Sequence, residues 1–238
     1  NKSYNNPIFI MAGGFGKRLQ PLTDKCPKPM LKIGERPILE SIILSFIEAG
    51  FSNFYISTHF MPEIIEDYFG DGTNLGVSIE YIYEKDPLGT GGALGLLPKN
   101  ISKEPLIMIN GDLLTSLDIE ELLEYHNEHN GDATVCVRNF EYQVPFGVIS
   151  GKDTLITDMV EKPKHTHLIN AGIYVLDYKI IESVGSNLKI DMPTLLEQKI
   201  CDGSDVHMFP IHEYWLDIGA ESDFYKAQID IKTLKPNQ

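Results

Sequence analysis

The chain of 238 residues is poor in cysteine, poor in cations and free of long apolar runs. Its three cysteines, Cys26, Cys136 and Cys201, are odd in number, far apart and without a CxxC pair. That argues against a disulfide framework or a cysteine zinc site and fits a reducing, cytoplasmic setting. Lysine and arginine number 20 against 34 acidic residues, a formal charge of −14. Such a balance disfavours non-specific binding to nucleic acid or an anionic membrane, so neither is expected as a partner. No apolar run approaches the roughly 18 residues of a membrane-spanning helix, and no secretory leader is visible. The seven histidines show no HExxH spacing, and the one HxH pair, His165 and His167 in "KHTHL", is read as solvated, so none is assigned to a metal. There is no internal repeat, low-complexity tract or long linker.

What is present suits one substantial core, with 42% hydrophobic and 23% charged residues. A single domain over residues 7–238 is expected. The polar "NKSYNN" ahead of it carries no structural signal. Residues 1–6 are therefore expected to be a disordered lead from an upstream module of a longer chain.

Periodicity sets the fold class. Pro7–Met11, Asn53–Ser57, Val77–Tyr83 and Leu106–Ile109 have the pattern of strands; Pro37–Ala49, Pro62–Phe69 and Asp118–His129 that of helices, the last with Asp118 as N-cap. Strands alternating with helices imply βαβ units and a mostly parallel sheet. After Gly131 the chain turns richer in strands: Thr134–Val137, Phe146–Ser150, Leu155–Val160 and Ile169–Leu176. Helical stretches follow around Met192–Ile200 and Glu221–Ile231.

The first strand runs into "AGGFGKRLQPLTDKCPKPM", Ala12–Met30. Gly13, Gly14 and Gly16 let backbone approach a ligand closely and leave N–H groups free for an anion. Lys17, Arg18, Lys25 and Lys28 add full charges, and Pro27 and Pro29 stiffen the chain around Lys28. Two known phosphate loops nearly fit. The Walker A pattern fails because Arg18 replaces its hydroxyl residue, and GxGxxG fails at Leu19. A tight turn with solvated cations is the plain alternative. Cys26 has no histidine nearby in sequence to activate it and is read as an inert small residue.

This stretch resembles the GGxGxRLxPLT and PKPM signature of the sugar-1-phosphate nucleotidyltransferases, especially the guanylyltransferase-like branch. "PLGTGGAL" (87–94), "NGD" (110–112), "FGVI" (146–149), "VEKP" (160–163), "NAGIYVL" (170–176) and "WLDIGAESDF" (215–224) look like later blocks of that family, in its order. The likeness runs from about Ile8 to Ala227. It departs at Lys17, where the family usually has a small hydroxyl residue.

The resemblance implies an α/β, Rossmann-like three-layer sandwich with a mixed, mostly parallel sheet, the glycosyltransferase-A-like nucleotidyltransferase fold. It implies that a nucleotidyl group passes from a nucleoside triphosphate to a sugar 1-phosphate, releasing pyrophosphate. Such a reaction needs cations, fixed geometry and a divalent metal rather than a protein nucleophile.

By the same resemblance Ala12, Gly13, Gly14 and Gly16 lie along the nucleotide, with Lys17 beside them. Arg18 grips the β- and γ-phosphates, and Lys28 the α-phosphate. Gly89 and Thr90 complete the nucleotide site. Asp112 and Asp217 hold Mg²⁺. Taken alone, Asp112 could equally be a turn or cap residue, and Asp217 a turn residue. Glu161 would take a sugar hydroxyl and Lys162 the sugar's phosphate, with Gly147 and Asn170 lining the sugar pocket. Glu–Lys neighbours are otherwise commonly a solvated pair.

The base is read from Glu84, five residues before Gly89, where pyrimidine-using relatives tend to carry glutamine. A carboxylate only accepts hydrogen bonds. Guanine offers N1–H and its 2-amino group side by side, whereas uracil and thymine flank one N–H with carbonyls. GTP is therefore expected. The alternatives are thymidylyl, uridylyl or cytidylyl transfer on the same fold, or an inactive regulatory homologue. The sugar is not legible, and a homodimer is an open expectation.

Overall fold

The computed structural model describes residues 2–234. Asn1 and residues 235–238, the extremes of the expected lead and domain, lie outside them. In chain order the elements are β1 (Tyr4–Met11), β2 (Lys32–Ile33), β3 (Arg36–Pro37), α1 (Ile38–Glu48), β4 (Phe51–Thr58), α2 (Pro62–Phe69) and β5 (Ser78–Tyr83). Then come α3 (Gly89–Gly92), β6 (Leu106–Asn110), β7 (Leu113–Thr115), α4 (Ile119–His129), β8 (Ala133–Gln143), β9 (Gly147–Lys152) and β10 (Leu155–Glu161). The last are β11 (Lys164–Leu176), α5 (Tyr178–Glu182), α6 (Met192–Cys201), β12 (Val206–Pro210), β13 (Trp215–Asp217) and α7 (Glu221–Leu234).

Seven strands form the central sheet in the order β12-β8-β11-β6-β1-β4-β5. The pairs β1–β4, β1–β6, β4–β5 and β8–β12 are parallel, and only β11 runs against its neighbours. The sheet is thus mixed and mostly parallel. Strand side chains alternate between faces. Ile8, Ile10, Ile107 and Ile109 pack with α1 and α4 on one side. Phe9, Leu106, Met108 and Leu176 pack with α5 and α6 on the other. Helices on both faces of a sheet make three layers. Full burial of Ile8, Phe9 and Ile10 contributes about 1.5–3 kcal/mol each.

Helix α1 follows Pro37 and buries Ile38, Leu39, Ile42, Ile43 and Phe46 along one stripe. Gly50, at φ +97°, turns the chain into β4. In α4 the Asp118 carboxylate accepts a 3.0 Å hydrogen bond from the Glu121 N–H, a cap contributing about 1 kcal/mol.

The lead differs from expectation. Residues 4–6 are part of β1. Asn6 donates to the Pro105 carbonyl at 2.8 Å, and Tyr4 stacks on Phe51 with ring centroids 4.7 Å apart. Pairing with β4 and side-chain hydrogen bonds order polar residues that have no local propensity for structure. Strands β8 and β11 are also longer than expected. They continue together beyond the core as an exposed arm, pairing Gln143 with Lys164. A second hairpin, β9–β10, lies between them in the chain.

The sheet order reverses at β1, with β4 on one side and β6 on the other. Ligands of open α/β sheets bind at such a switch point, beyond the carboxyl ends of the strands. Met11 and Asn110, paired in register, place the glycine-rich loop and the NGD segment there together.

Candidate active site

The loop after β1 is tied at its root: Ala12 donates to the Ser57 carbonyl at 3.0 Å, and Gly111 to the Met11 carbonyl at 2.8 Å. Gly16 has φ +62°, and a Cβ there would lie 2.9 Å from Thr23 Cγ2 and 3.1 Å from Lys28 Cβ. Thr23 donates to the Gly16 carbonyl at 2.8 Å, and Leu19 is buried. The turn is therefore fixed, with the Lys17 and Arg18 side chains outward. A Cβ on Gly14 would meet nothing within 4 Å, so backbone there faces open space. The Lys17 ammonium lies 5.5 Å from the centroid of the Phe15 ring.

Lys28 begins a short 3₁₀ turn and is only 8% exposed. Its Nζ lies 2.5 Å from Asp112 Oδ2. The other Asp112 oxygen, Oδ1, is buried without a hydrogen-bond partner. Asp217 ends β13, which pairs with β7 so that Asp217 stands opposite Leu113. Ile218 donates to the Asp112 carbonyl at 3.1 Å, bringing the two aspartates side by side in backbone. Burial raises the Asp217 carboxyl above the ordinary carboxylate value, and the charge on Asp112 pushes the same way; Lys28 and Arg18 act in opposition. Gly14, Gly16, Lys17, Arg18, Lys28, Asp112 and Gly219 line one cavity of about 260 Å³. Gly219 and Ala220 both donate to Asp223 Oδ2, which fixes the turn after Asp217.

Magnesium fits this donor set. An unpartnered buried carboxylate oxygen beside a second, charge-stressed carboxylate calls for a cation, and Mg²⁺ is usually held by one or two carboxylates plus phosphate oxygens and water. Among the described residues no cluster of three or more His, Cys, Asp or Glu could form an all-protein metal cage. Cys26 is no rival centre, because burial pushes its thiol up, away from the thiolate.

Glu84 lies on the other side of the loop and is 5% exposed. Its Oε1 accepts from Ser57 Oγ at 2.9 Å and its Oε2 from the Leu88 N–H at 3.1 Å. A Cβ on Gly13 would approach Oε1 to 3.2 Å and His59 Cβ to 3.3 Å. Carboxylate oxygens have about four acceptor positions between them, so two remain. His59 Nδ1 is 2.7 Å from the Glu84 carbonyl oxygen, and its ring meets Phe15 edge-on, centroids 5.0 Å apart. Ser57 and His59 are missed by reasoning from motifs; their place at the carboxyl end of β4 is the signal that could have found them.

Gly89 and Thr90 are held against the segment preceding α6. Gly89 has φ +78°, and a Cβ there would run into Ile190 and Asp191. Thr90 Oγ1 accepts from the Met192 N–H at 2.9 Å. Asp191, in contact with this loop, is a third residue that the sequence did not single out.

The expected sugar residues are less gathered. Asn170 is near the site, since the bulge after it brings Gly172 against Asn110. Both ends of its amide are engaged, donating to Tyr174 Oη at 2.7 Å and accepting from Gly172 N–H at 2.9 Å. Gly147, Glu161 and Lys162 sit on or beside the β9–β10 hairpin and do not line the cavity of Lys28 and Asp112. Glu161 and Lys162 are 4.0 Å apart with side chains 74% and 57% exposed. Trp215 packs near the aspartates, donating to the Ala171 carbonyl at 2.9 Å.

The chain is 30% identical to the mannose-1-phosphate guanylyltransferase of Mycobacterium tuberculosis, over 93% of this chain and 63% of that protein. It is 34% identical to the mannose-1-phosphate guanyltransferase of Pichia angusta, over 91% and 61%. The chain thus spans about three-fifths of the length of these curated relatives. Among solved structures, HddC from Yersinia pseudotuberculosis complexed with GMP-PN superposes with a TM-score of 0.74 and 28% identity, covering 95% of this chain and all of that one. UDP-glucose pyrophosphorylase from Acinetobacter baumannii shares the fold, with a TM-score of 0.76 at 19% identity, covering 98% and 95%. The family profile of nucleotidyl transferases matches residues 8–233, and the chain belongs to that family.

Proposed function

We propose that this chain transfers a guanylyl group from GTP to a sugar 1-phosphate, releasing pyrophosphate. The observation that carries the reading is the convergence of Arg18, Lys28 and Asp112 on one cavity at the sheet's switch point. Such a concentration of cations in a chain of charge −14 marks an anion site. The family of the curated relatives supports the reaction type, and their guanylyl specificity supports the base.

An oxygen of the sugar phosphate attacks the α-phosphorus in line. The new P–O bond forms as the bond to the β-phosphate oxygen breaks, and the pyrophosphate carries away the electron pair. Arg18 offers a planar fork to the departing phosphates. Lys28, with one of its three donors directed at Asp112, has two more for the α-phosphate. The backbone of Ala12–Gly14 and Gly16 lies along the nucleotide, with Lys17 beside it and Gly89 and Thr90 opposite. Asp112 and Asp217 would hold Mg²⁺, which when bound supplies neutralisation of phosphate charge.

Glu84 takes guanine N1–H and the 2-amino group on its remaining lone pairs, its angle set by Ser57 and Leu88. Glu161 and Lys162 receive the sugar and its phosphate, with Gly147 and Asn170 along the pocket; this requires the β9–β10 hairpin to close toward the cavity when substrate enters. Three free cysteines support a reducing, cytoplasmic compartment.

The test is direct. The protein is incubated with Mg²⁺, each of four triphosphates and a panel of hexose 1-phosphates beginning with mannose 1-phosphate, and pyrophosphate is measured. Release with GTP is expected. Release with no pair would overturn the reading, and release with UTP or dTTP in preference to GTP would overturn the role of Glu84.

A further inference from the structure

Three consecutive residues at the carboxyl end of β4 hold Glu84 at three different atoms. Ser57 Oγ donates to Oε1 at 2.9 Å, the Thr58 carbonyl accepts from the Glu84 N–H at 2.8 Å, and His59 Nδ1 lies 2.7 Å from the Glu84 carbonyl oxygen. A carbonyl only accepts, so Nδ1 carries the hydrogen and donates it. The ring of His59 also touches the glycine-rich loop. It meets Phe15 edge-on with centroids 5.0 Å apart, and stacks with Tyr83 at 6.5 Å. Phe15 in turn has its centroid 5.6 Å from that of Phe60 and 5.5 Å from the Lys17 ammonium. Gly13 closes the junction: a Cβ there would stand 3.2 Å from Glu84 Oε1 and 3.3 Å from His59 Cβ. Loop backbone, histidine and carboxylate are thus packed with little room for a side chain.

We infer that His59 is a positioning residue joining the two halves of the nucleotide site. Its Nδ1–H holds the base-reading Glu84, and its ring holds the phosphate loop through Phe15. The inference rests on the proposed role of Glu84. From Ala12 to Gly16 the chain reads AGGFG, so Phe15 is the one residue there with a side chain larger than methyl. Glycine backbone is conformationally free, and the Phe15 ring is the handle by which neighbouring structure steadies it. Lys17 and Arg18 follow directly on this backbone, so the handle also sets where their charges stand. The two contacts of His59 differ in chemistry: one is a hydrogen bond, the other an aromatic edge contact. Substitutions can therefore remove either one and keep the other.

Equilibrium binding reads both halves without a sugar phosphate. Calorimetry in the presence of Mg²⁺ compares GTP, inosine triphosphate, which lacks only the 2-amino group, and inorganic tripolyphosphate, which has no base. The parent is expected to bind GTP more tightly than inosine triphosphate. His59→Ala should lower that preference about two- to tenfold, the scale of one hydrogen bond. It should also weaken tripolyphosphate about two- to tenfold, the scale of one aromatic pair. His59→Asn, whose amide N–H can replace Nδ1–H, should keep the preference within about twofold of the parent's and lose tripolyphosphate affinity. His59→Phe, with a ring but no donor, should do the reverse. A general loosening of the fold would move both readouts together in every variant and could not produce this crossing. A His59→Ala protein with parental affinity for all three ligands, or Asn and Phe variants that shift the two readouts alike, would overturn the inference alone. A parent that does not distinguish GTP from inosine triphosphate, or binds neither, would overturn the role of Glu84 and this inference with it. Pyrophosphate release in the assay above decides the reaction separately.

Discussion

Lys28 Nζ and Asp112 Oδ2 are 2.5 Å apart, although 84 positions separate the two residues in sequence. Their meeting joins the cationic loop to the end of β6 and leaves Asp112 Oδ1 without a partner inside the protein. In the proposed reaction the phosphate clamp and the metal ligand would thus share one ion pair. The pair orients both groups before substrate arrives, which lowers the reorganisation demanded by the reaction.

Replacing Lys28 by Met should lower kcat about 10²- to 10³-fold, the usual loss when one preorganised donor to the reacting phosphate is removed. Steady-state pyrophosphate release checks this. A fall of less than threefold would show that Lys28 does not meet the α-phosphate.

Asp217→Asn removes one of two neighbouring negative charges. The Mg²⁺ concentration for half-maximal activity should rise at least about tenfold, since metal affinity tracks ligand charge. An unchanged Mg²⁺ titration would remove Asp217 from the metal site.

Glu84→Gln tests the base. The Leu88 N–H can only donate, so the amide oxygen should settle on it, while Ser57 can turn to accept from the amide NH₂. The fold should persist. The amide nitrogen cannot accept the second guanine donor, and the ratio of kcat/KM for GTP over UTP should drop about tenfold or more. An unchanged ratio would clear Glu84 of base recognition.

Gly16→Ala places a methyl group at φ +62°, 2.9 Å from Thr23 Cγ2. The left-handed backbone and the contact should together cost about 1–3 kcal/mol. Chemical denaturation measures the loss, and a variant as stable as the parent would mean that the turn relaxes freely.

His126 gives a pH dependence. It is 3% exposed and bonded to Thr134 Oγ1 at 2.9 Å. Burial lowers its pKa from 6.5, and His207 pushes the same way, while Asp177 opposes. The fold therefore favours the neutral ring. The unfolded chain takes up the proton first as pH falls, so this stability is complete above 6.5 and is lost as pH drops through the folded value. Urea midpoints at pH 8 and pH 5.5 should differ less for His126→Gln than for the parent. Equal pH slopes would exclude His126 from the effect.

Local patterns were legible. Helix α2 has the bounds its sequence suggests, Pro62–Phe69, because a proline start and a glycine stop are local signals. The same holds for the Asp118 cap. Strand β12, "VHMFP", went unread because it is short, broken by a histidine and ends in proline. The three-residue ladder of β7 with β13 was equally hidden, since its pairing partners are about a hundred positions apart. That ladder is what sets Asp217 beside Asp112.

By itself the sequence determined the alternation of strands and helices, the glycines and four cations of the loop after the first strand, and the acidic balance of the chain. These follow from nearest-neighbour propensity and residue chemistry. Only the tertiary structure decided that Lys28 pairs with Asp112, that Ser57 and the Leu88 N–H hold Glu84, and that Glu161 and Lys162 stand on an exposed arm apart from the cavity. Those relationships depend on strand order and register, which are fixed by burial of the whole sheet between two layers of helices, and no short stretch of chain encodes them.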